Sequence, residues 1–113
     1  MPAEETVFHK IINRTAPADI VYEDNDVIAF RDISPKAPTH LLFCPKIFVP
    51  SLIDLGEGTQ YLPGMLILKA RDFALANHID GYKIIFHVGK AGGQEVFYLH
   101  LHFLAQQEIK KKV

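Results

Sequence analysis

From Glu95 to Leu104 the chain reads E-V-F-Y-L-H-L-H-F-L, and apolar and polar positions alternate. Successive side chains of an extended strand leave on opposite faces. Phe97, Leu99, Leu101 and Phe103 are therefore expected on one side, Tyr98, His100 and His102 on the other. One face is hydrocarbon, the other imidazole and phenol. Imidazoles two residues apart sit roughly 6–7 Å from one another, close enough to share one phosphoryl group or one metal ion.

The rest of the pattern supplies a frame for this strand. Thr6 is a cap for a short helix whose stripe is Val7, Phe8, Ile11 and Ile12, ended by Ala16-Pro17-Ala18. Ile20–Tyr22 and Val27–Arg31 read as a hairpin around the turn-forming residues Glu23 to Asp26. A stiff nine-residue connection with two prolines, Asp32 to His40, leads to a doubly buried strand, Leu41–Cys44, stopped by Pro45. Thr59 is the expected cap of the longest helix, residues 60–77, with Leu62, Leu66, Ala70 and Phe73 as its core stripe. Lys83–Val88 is another strand, joined to the histidine strand by a hairpin-type loop with three glycines. Hairpins at both ends and no repeated βαβ unit imply the α+β class. The expected architecture is a five-stranded antiparallel sheet whose two helices pack on one face, leaving Tyr98, His100 and His102 open on the other.

Composition narrows the function. A chain of 113 residues, 49% hydrophobic and 22% charged, is expected to be a single domain, 1–113, with a poorly defined tail from about residue 105. Twelve basic against thirteen acidic residues leave a net charge of −1, so a nucleic-acid partner is disfavoured. No apolar run reaches the 18 or so residues of a membrane span. The opening MPAEETVFHK lacks the basic and apolar regions of a secretory signal, and Cys44 has no cysteine to pair with; the expectation is a cytoplasmic protein. Lys110 to Lys112 read as a solubilising tail, and His9 and His78 are assigned no role.

Imidazole is a competent nucleophile near neutrality, and attack on phosphorus gives a phospho- or nucleotidyl-histidine. A second imidazole two residues on can donate to a phosphoryl oxygen or protonate a leaving group. Gly92 and Gly93, just upstream, permit close backbone approach and an anion-binding nest of N–H groups. A zinc reading competes, since H-x-H with His40 or His87 supplies three ligands. Against it, the only carboxylates expected near the pair are Glu95, on the opposite face, and Glu108, beyond the strand, so neither metal nor organic cofactor is expected.

Gly92-Gly93-Gln94 followed by Val96 to Leu104, together with Asp32-Ile33-Ser34-Pro35 and Pro38-Thr39-His40, resembles the histidine-triad (HIT) family, in particular its Hint branch of purine nucleotide phosphoramidases. The likeness runs from about Val7 to Leu104. It implies His100 as nucleophile, His102 assisting at the α-phosphate, and Asp32 on the ribose hydroxyls. Phe8, Ile11, Phe30 and Ile33 fall on the apolar purine pocket, Gly93 and Gln94 on the phosphate loop, and His40 beside the catalytic strand. The implied activity is hydrolysis of AMP- or GMP-like phosphoramidates by a homodimer whose sheets join across the two-fold.

This sequence departs from the family at three positions. Tyr98 replaces the first triad histidine, Glu95 replaces a serine or threonine at the phosphate end, and His87 replaces an asparagine. The alternative reading is therefore a catalytically weak or inactive module that still binds a purine nucleotide.

Overall fold

The computed structural model describes residues 5–109. Helix α1 (Val7–Ile12) begins as its sequence predicts. The Thr6 hydroxyl accepts the N–H groups of Phe8 and His9, and His9 Nδ1 accepts the Thr6 N–H at 2.9 Å. Such a reciprocal cap satisfies otherwise orphaned donors and contributes about 1 kcal/mol. So short a helix buries only Phe8 and Ile11, and Val7 of the expected stripe is exposed.

Strands β1 (Ile20–Glu23) and β2 (Val27–Arg31) form the expected hairpin. Asp24 organises its turn. Its carboxylate accepts the N–H groups of Asp26 and Val27 at 2.8 and 2.9 Å, the Tyr22 hydroxyl at 2.5 Å and the Lys69 ammonium at 2.6 Å. Burial pushes the Asp24 carboxyl up, but these donors together outweigh it and leave it well below the usual carboxylate range.

Strand β3 (Thr39–Pro45) is buried along its whole length. Helix α2 (Leu62–Ala76) follows and buries Leu62, Leu66, Ala70 and Phe73, the predicted stripe. Thr59 does not cap it. Its hydroxyl accepts the Gly56 N–H at 2.9 Å, closing a turn before the helix, and Pro63 in the first turn has no N–H in need of a cap.

Strands β4 (Lys83–Ile85) and β5 (Leu101–Ala105) complete an antiparallel sheet of order β1-β2-β3-β5-β4. After Ala105 the chain is anchored by Gln107, whose carbonyl accepts the Thr39 hydroxyl and whose side chain bonds His78 and Asp80. The Lys110 to Lys112 run lies outside the described residues. Among those described, no helix is long and apolar enough to cross a membrane.

Two expectations are corrected here. The helices lie on opposite faces of the sheet. Leu41, Phe43, Leu101 and Phe103 meet Leu66, Ala70 and Phe73 of α2, whereas Ile28, Phe30, Leu42 and Cys44 meet Phe8 and Ile11 of α1. Strands β2 and β3 are apolar at both parities and so require cover on both sides.

The histidine strand also starts later than its alternation suggests. Residues 95–100 form no ladder, and Phe97 is 39% exposed instead of joining the α2 core. The cause is upstream. The Gln94 side chain donates to the Pro50 and Val96 carbonyls at 2.8 and 3.0 Å and accepts the Gly89 N–H at 3.0 Å, while the Leu99 N–H reaches the Val49 carbonyl at 2.7 Å. These bonds hold the approach to β5 against the segment after β3 and away from β4.

Candidate active site

Sheet register assembles the site from distant parts of the chain. His40 opposes Leu104 and Leu42 opposes His102, so His40 and His102 are diagonal neighbours on one face of the β3–β5 pair. Phe30 opposes Leu42 on the same face. The Asp32 N–H donates to the His40 carbonyl at 2.9 Å, which extends the pairing one step beyond β2 and brings the carboxylate to that face as well.

The contacts are close. His40 Nε2 lies 3.0 Å from His102 Nδ1 and 3.4 Å from Asp32 Oδ2. The His102 ring centroid lies 4.6 Å from that of His87 and 4.9 Å from that of His100. Buried His102 Nε2 has no hydrogen-bond partner among the described residues.

His100 is 7% exposed, with the edge of Phe8 packed at 5.0 Å. Its Nδ1 donates to the Tyr98 carbonyl at 2.6 Å, which places the ring proton on that nitrogen and the lone pair on Nε2. Burial lowers its pKa, with the carbonyl bond opposing, so the ring is neutral near pH 7. A neutral imidazole with one nitrogen anchored is an oriented nucleophile.

Tyr98 does not belong to an open polar face. It is 1% exposed, wedged among Phe8, His9 and Phe48, and its hydroxyl donates to the Pro45 carbonyl at 2.6 Å. Helix α1 covers it and His100. Its service to His100 comes from its backbone oxygen, which any residue would provide.

The residues expected around the base and the phosphate divide. Phe8 and Phe30 pack edge to face at 5.2 Å, and Ile11 is buried with them. Ile33 stands apart, 98% exposed in the loop after Asp32.

The glycines offer no nest. A single 3-10 turn, Lys90–Gly92, closes through bonds from the Gly92 and Gln94 N–H groups to the Gly89 carbonyl and from the Gly93 N–H to the Lys90 carbonyl. All three amides are thereby spent within the loop. Gly93, at φ 92°, makes the left-handed exit from the turn, where a side chain would be strained, and the His87 ring packs close by. Gln94 is the bracket for this loop, while Glu95 is exposed immediately after it.

Asp32 also overturns the expectation that Glu95 and Glu108 are the only carboxylates near the histidine pair, since it lies beside His40 and His102. Asp32, His40 and His102 each offer one ligand atom within 4.8 Å of the others, a donor set of the kind that holds a divalent cation. One hydrogen bond opposes that use. The Lys36 N–H donates to His40 Nδ1 at 3.0 Å, so neutral His40 carries its proton on Nε2, the nitrogen facing the other two groups. Sequence reasoning misses Lys36 because its contribution comes from the main chain.

Comparison with known proteins identifies the family of the fold. A family model described as the HIT domain matches residues 13–109. A purine nucleoside phosphoramidase of Escherichia coli strain K12 is 47% identical over 104 residues, covering 90% of this chain and 87% of that one. A histidine triad protein from Clostridium difficile superposes with a TM-score of 0.87 at 35% identity over 100% of both chains. A HIT family hydrolase from Legionella pneumophila gives a TM-score of 0.85 at 38% identity, covering 92% and 95%.

Proposed function

The chain belongs to the HIT domain family, and from that premise we propose that it hydrolyses purine nucleoside 5′-phosphoramidates and related AMP or GMP derivatives through a nucleotidyl-histidine on His100. The observation that carries this reading is the bond from His100 Nδ1 to the Tyr98 carbonyl, which leaves Nε2 as the attacking lone pair. Attack at the α-phosphorus forms a P–N bond to His100 and breaks the P–N bond to the leaving amine, which takes up a proton. Water then cleaves the nucleotidyl-histidine and releases the nucleoside monophosphate. The unpartnered Nε2 of His102 is suited to a phosphoryl oxygen or the departing nitrogen.

Asp32 suits the ribose hydroxyls. Among the described residues its Oδ1 accepts only the Ser34 N–H, at 2.8 Å, and each carboxylate oxygen can take two bonds. The purine would lie against the outer edge of the Phe8, Ile11 and Phe30 group, with exposed Ile33 as an apolar flank that a base would cover. Because Tyr98 supplies a carbonyl, its substitution for histidine leaves the orientation of the nucleophile intact, and this favours an active enzyme over an inert module.

The test is incubation with an adenosine phosphoramidate followed by intact mass, comparing the wild type with His102→Ala. The expected result is turnover in the wild type and accumulation in the variant of a single nucleotidyl adduct mapping to His100. Protection by AMP with no turnover and no adduct in either protein would establish the binding module instead.

A homodimer through the β4 edge is part of this proposal. Among the described residues strand β4 has one free side, Ile84 on it is exposed, and exposed Tyr61, just before α2, continues at spacings of seven into exposed Leu68 and Leu75 on the helix. Sedimentation equilibrium is expected to give twice the chain mass of 12.8 kDa; a single-chain mass at micromolar concentration rejects the dimer.

A further inference from the structure

We infer that the Lys36 backbone amide, acting through His40, sets the tautomer of His102 and so makes it a hydrogen-bond donor toward substrate. This rests on the proposed reaction for its purpose, but the tautomer chain itself rests only on the contacts around His40.

An imidazole has one proton to place when neutral, and its two nitrogens take opposite roles. The Lys36 N–H donates to His40 Nδ1 at 3.0 Å, so that nitrogen must present a lone pair. The His40 proton therefore sits on Nε2. Two acceptors face it: His102 Nδ1 at 3.0 Å and Asp32 Oδ2 at 3.4 Å. Donation to the nearer one makes His102 Nδ1 an acceptor in turn, and the His102 proton is placed on Nε2.

The opposite arrangement fails at its far end. If His102 donated from Nδ1, His40 Nε2 would have to accept, its proton would move to Nδ1, and two N–H groups would point at each other across 3.0 Å. The His40 ring is buried, and a donor left there without an acceptor costs about 1–3 kcal/mol. Protonating His40 meets the same conflict at Nδ1. Burial lowers the pKa of His40 and of His102, the latter to about 4, so both rings are neutral when the chain of roles applies.

The consequence falls on His102 Nε2, which is buried and has no partner. As an N–H it is a donor lacking an acceptor, beside a nucleophile whose own tautomer is fixed in the reverse sense. His100 presents a lone pair and His102 presents a proton. An entering phosphoryl oxygen satisfies the second while the first attacks, so a neutral site can bind an anion without titrating any of its groups. The loop from Asp32 to His40, with prolines at 35 and 38, thus acts as more than a ribose clamp. It carries the amide that decides which nitrogen of His102 bears the proton. Lys36 and His40 are positioning residues, since neither is required to touch the substrate.

Ring nitrogen shifts of the ¹⁵N-labelled protein at pH 7.5 read this directly and without substrate. The expected result is an Nε2–H tautomer for His40 and His102 and an Nδ1–H tautomer for His100. Lys36→Ala keeps the amide and is expected to keep all three. Lys36→Pro removes it and is expected to give mixed tautomers at His40 and His102.

Should the proline variant fail to fold, His40→Gln and His40→Glu provide the same contrast. Glutamine retains a donor facing His102 Nδ1 and is expected to preserve the Nε2–H form, while glutamate supplies an acceptor and is expected to invert it. With an adenosine phosphoramidate, the glutamate variant is expected to lose about 10²-fold or more in kcat relative to glutamine, the scale of one general acid. An Nδ1–H tautomer for His102 in the wild type overturns the inference, as does stoichiometric zinc uptake with the His40 Nε2 and His102 Nδ1 resonances shifted, because a metal between them needs the His40 Nε2 lone pair that the inferred tautomer denies it. Correct tautomers in a protein that hydrolyses no phosphoramidate would leave the chain of roles standing and remove the proposed reaction.

Discussion

His100→Ala is expected to abolish phosphoramidate turnover, by roughly 10⁴-fold or more, because in the proposed reaction it removes the atom that forms the covalent bond, and its neighbours among the described residues are not placed to replace it. His102 is within reach but presents a proton, not a lone pair, toward substrate, and His40 is occupied by Lys36 and His102. The substitution also leaves the Tyr98 carbonyl without its donor, at a cost of about 1–3 kcal/mol, so binding must be measured beside activity. AMP binding within a few-fold of wild type, with turnover lost, is the expected pair of results from calorimetry and a coupled assay.

Tyr98→Phe is the contrasting case. It removes the bond to the buried Pro45 carbonyl, for a loss of about 1–3 kcal/mol in urea unfolding, while the carbonyl that orients His100 remains. Activity per folded molecule is therefore expected to persist. Residual turnover in His100→Ala above a tenth of wild type would assign the nucleophile elsewhere, and loss of turnover in Tyr98→Phe would mean that the phenol acts in chemistry after all.

Which of these features can be read from sequence depends on how local their causes are. Strand β2 was legible to the residue, because Val27 to Phe30 is apolar and a turn built on Asp24 precedes it. The α2 stripe was equally plain, since four residues at helical spacing face one sheet. Phe97 misled for a reason that periodicity cannot see: the alternation continues through Val96 and Phe97, yet the Gln94 amide and the Leu99 N–H tie this stretch to residues 49 and 50. The opposite placement of α1 was hidden because a helix burying two residues carries too weak a stripe to name its partner.

In the site, Asp32, His100 and His102 were named, but the carboxylate's proximity to His102 depends on two strand registers separated by tens of residues. A signal was present in retrospect. Phe30 and Asp32 share one parity, as do His40 and Leu42, and any antiparallel pairing that buries Phe30 against Leu42 brings Asp32 toward His40. Lys36 left no such trace, since an amide is common to nearly every residue.

Buried neutral imidazoles also make the fold sensitive to mild acid, and the direction follows from proton uptake. The His102 pKa falls from 6.5 to about 4 in the folded chain, first because of burial and then because of His100, His87 and His40 around it, with Asp32 opposing. Between those two values the unfolded chain binds a proton that the folded chain refuses. Stability contributed by the neutral ring is thus intact above pH 6.5 and is lost as the pH falls toward 4. Going from pH 7 to pH 5, His102 alone is expected to remove roughly 2 kcal/mol. His40 and His100, both lowered mainly by burial, act in the same direction. The carboxylates intervene later. Glu23, held down by Lys46 and Arg14, and Asp24, held down by its four donors, lose their contributions only below about pH 4. Urea titrations at pH 7 and pH 5 separate the two regimes, and His102→Leu, which has no proton to bind, is expected to flatten the dependence by about the His102 share while the fall below pH 4 remains. A wild type equally stable at pH 7 and pH 5 would mean that the rings accept protons freely in the folded protein, which is incompatible with an amide donating into His40 and a neutral nucleophile at His100.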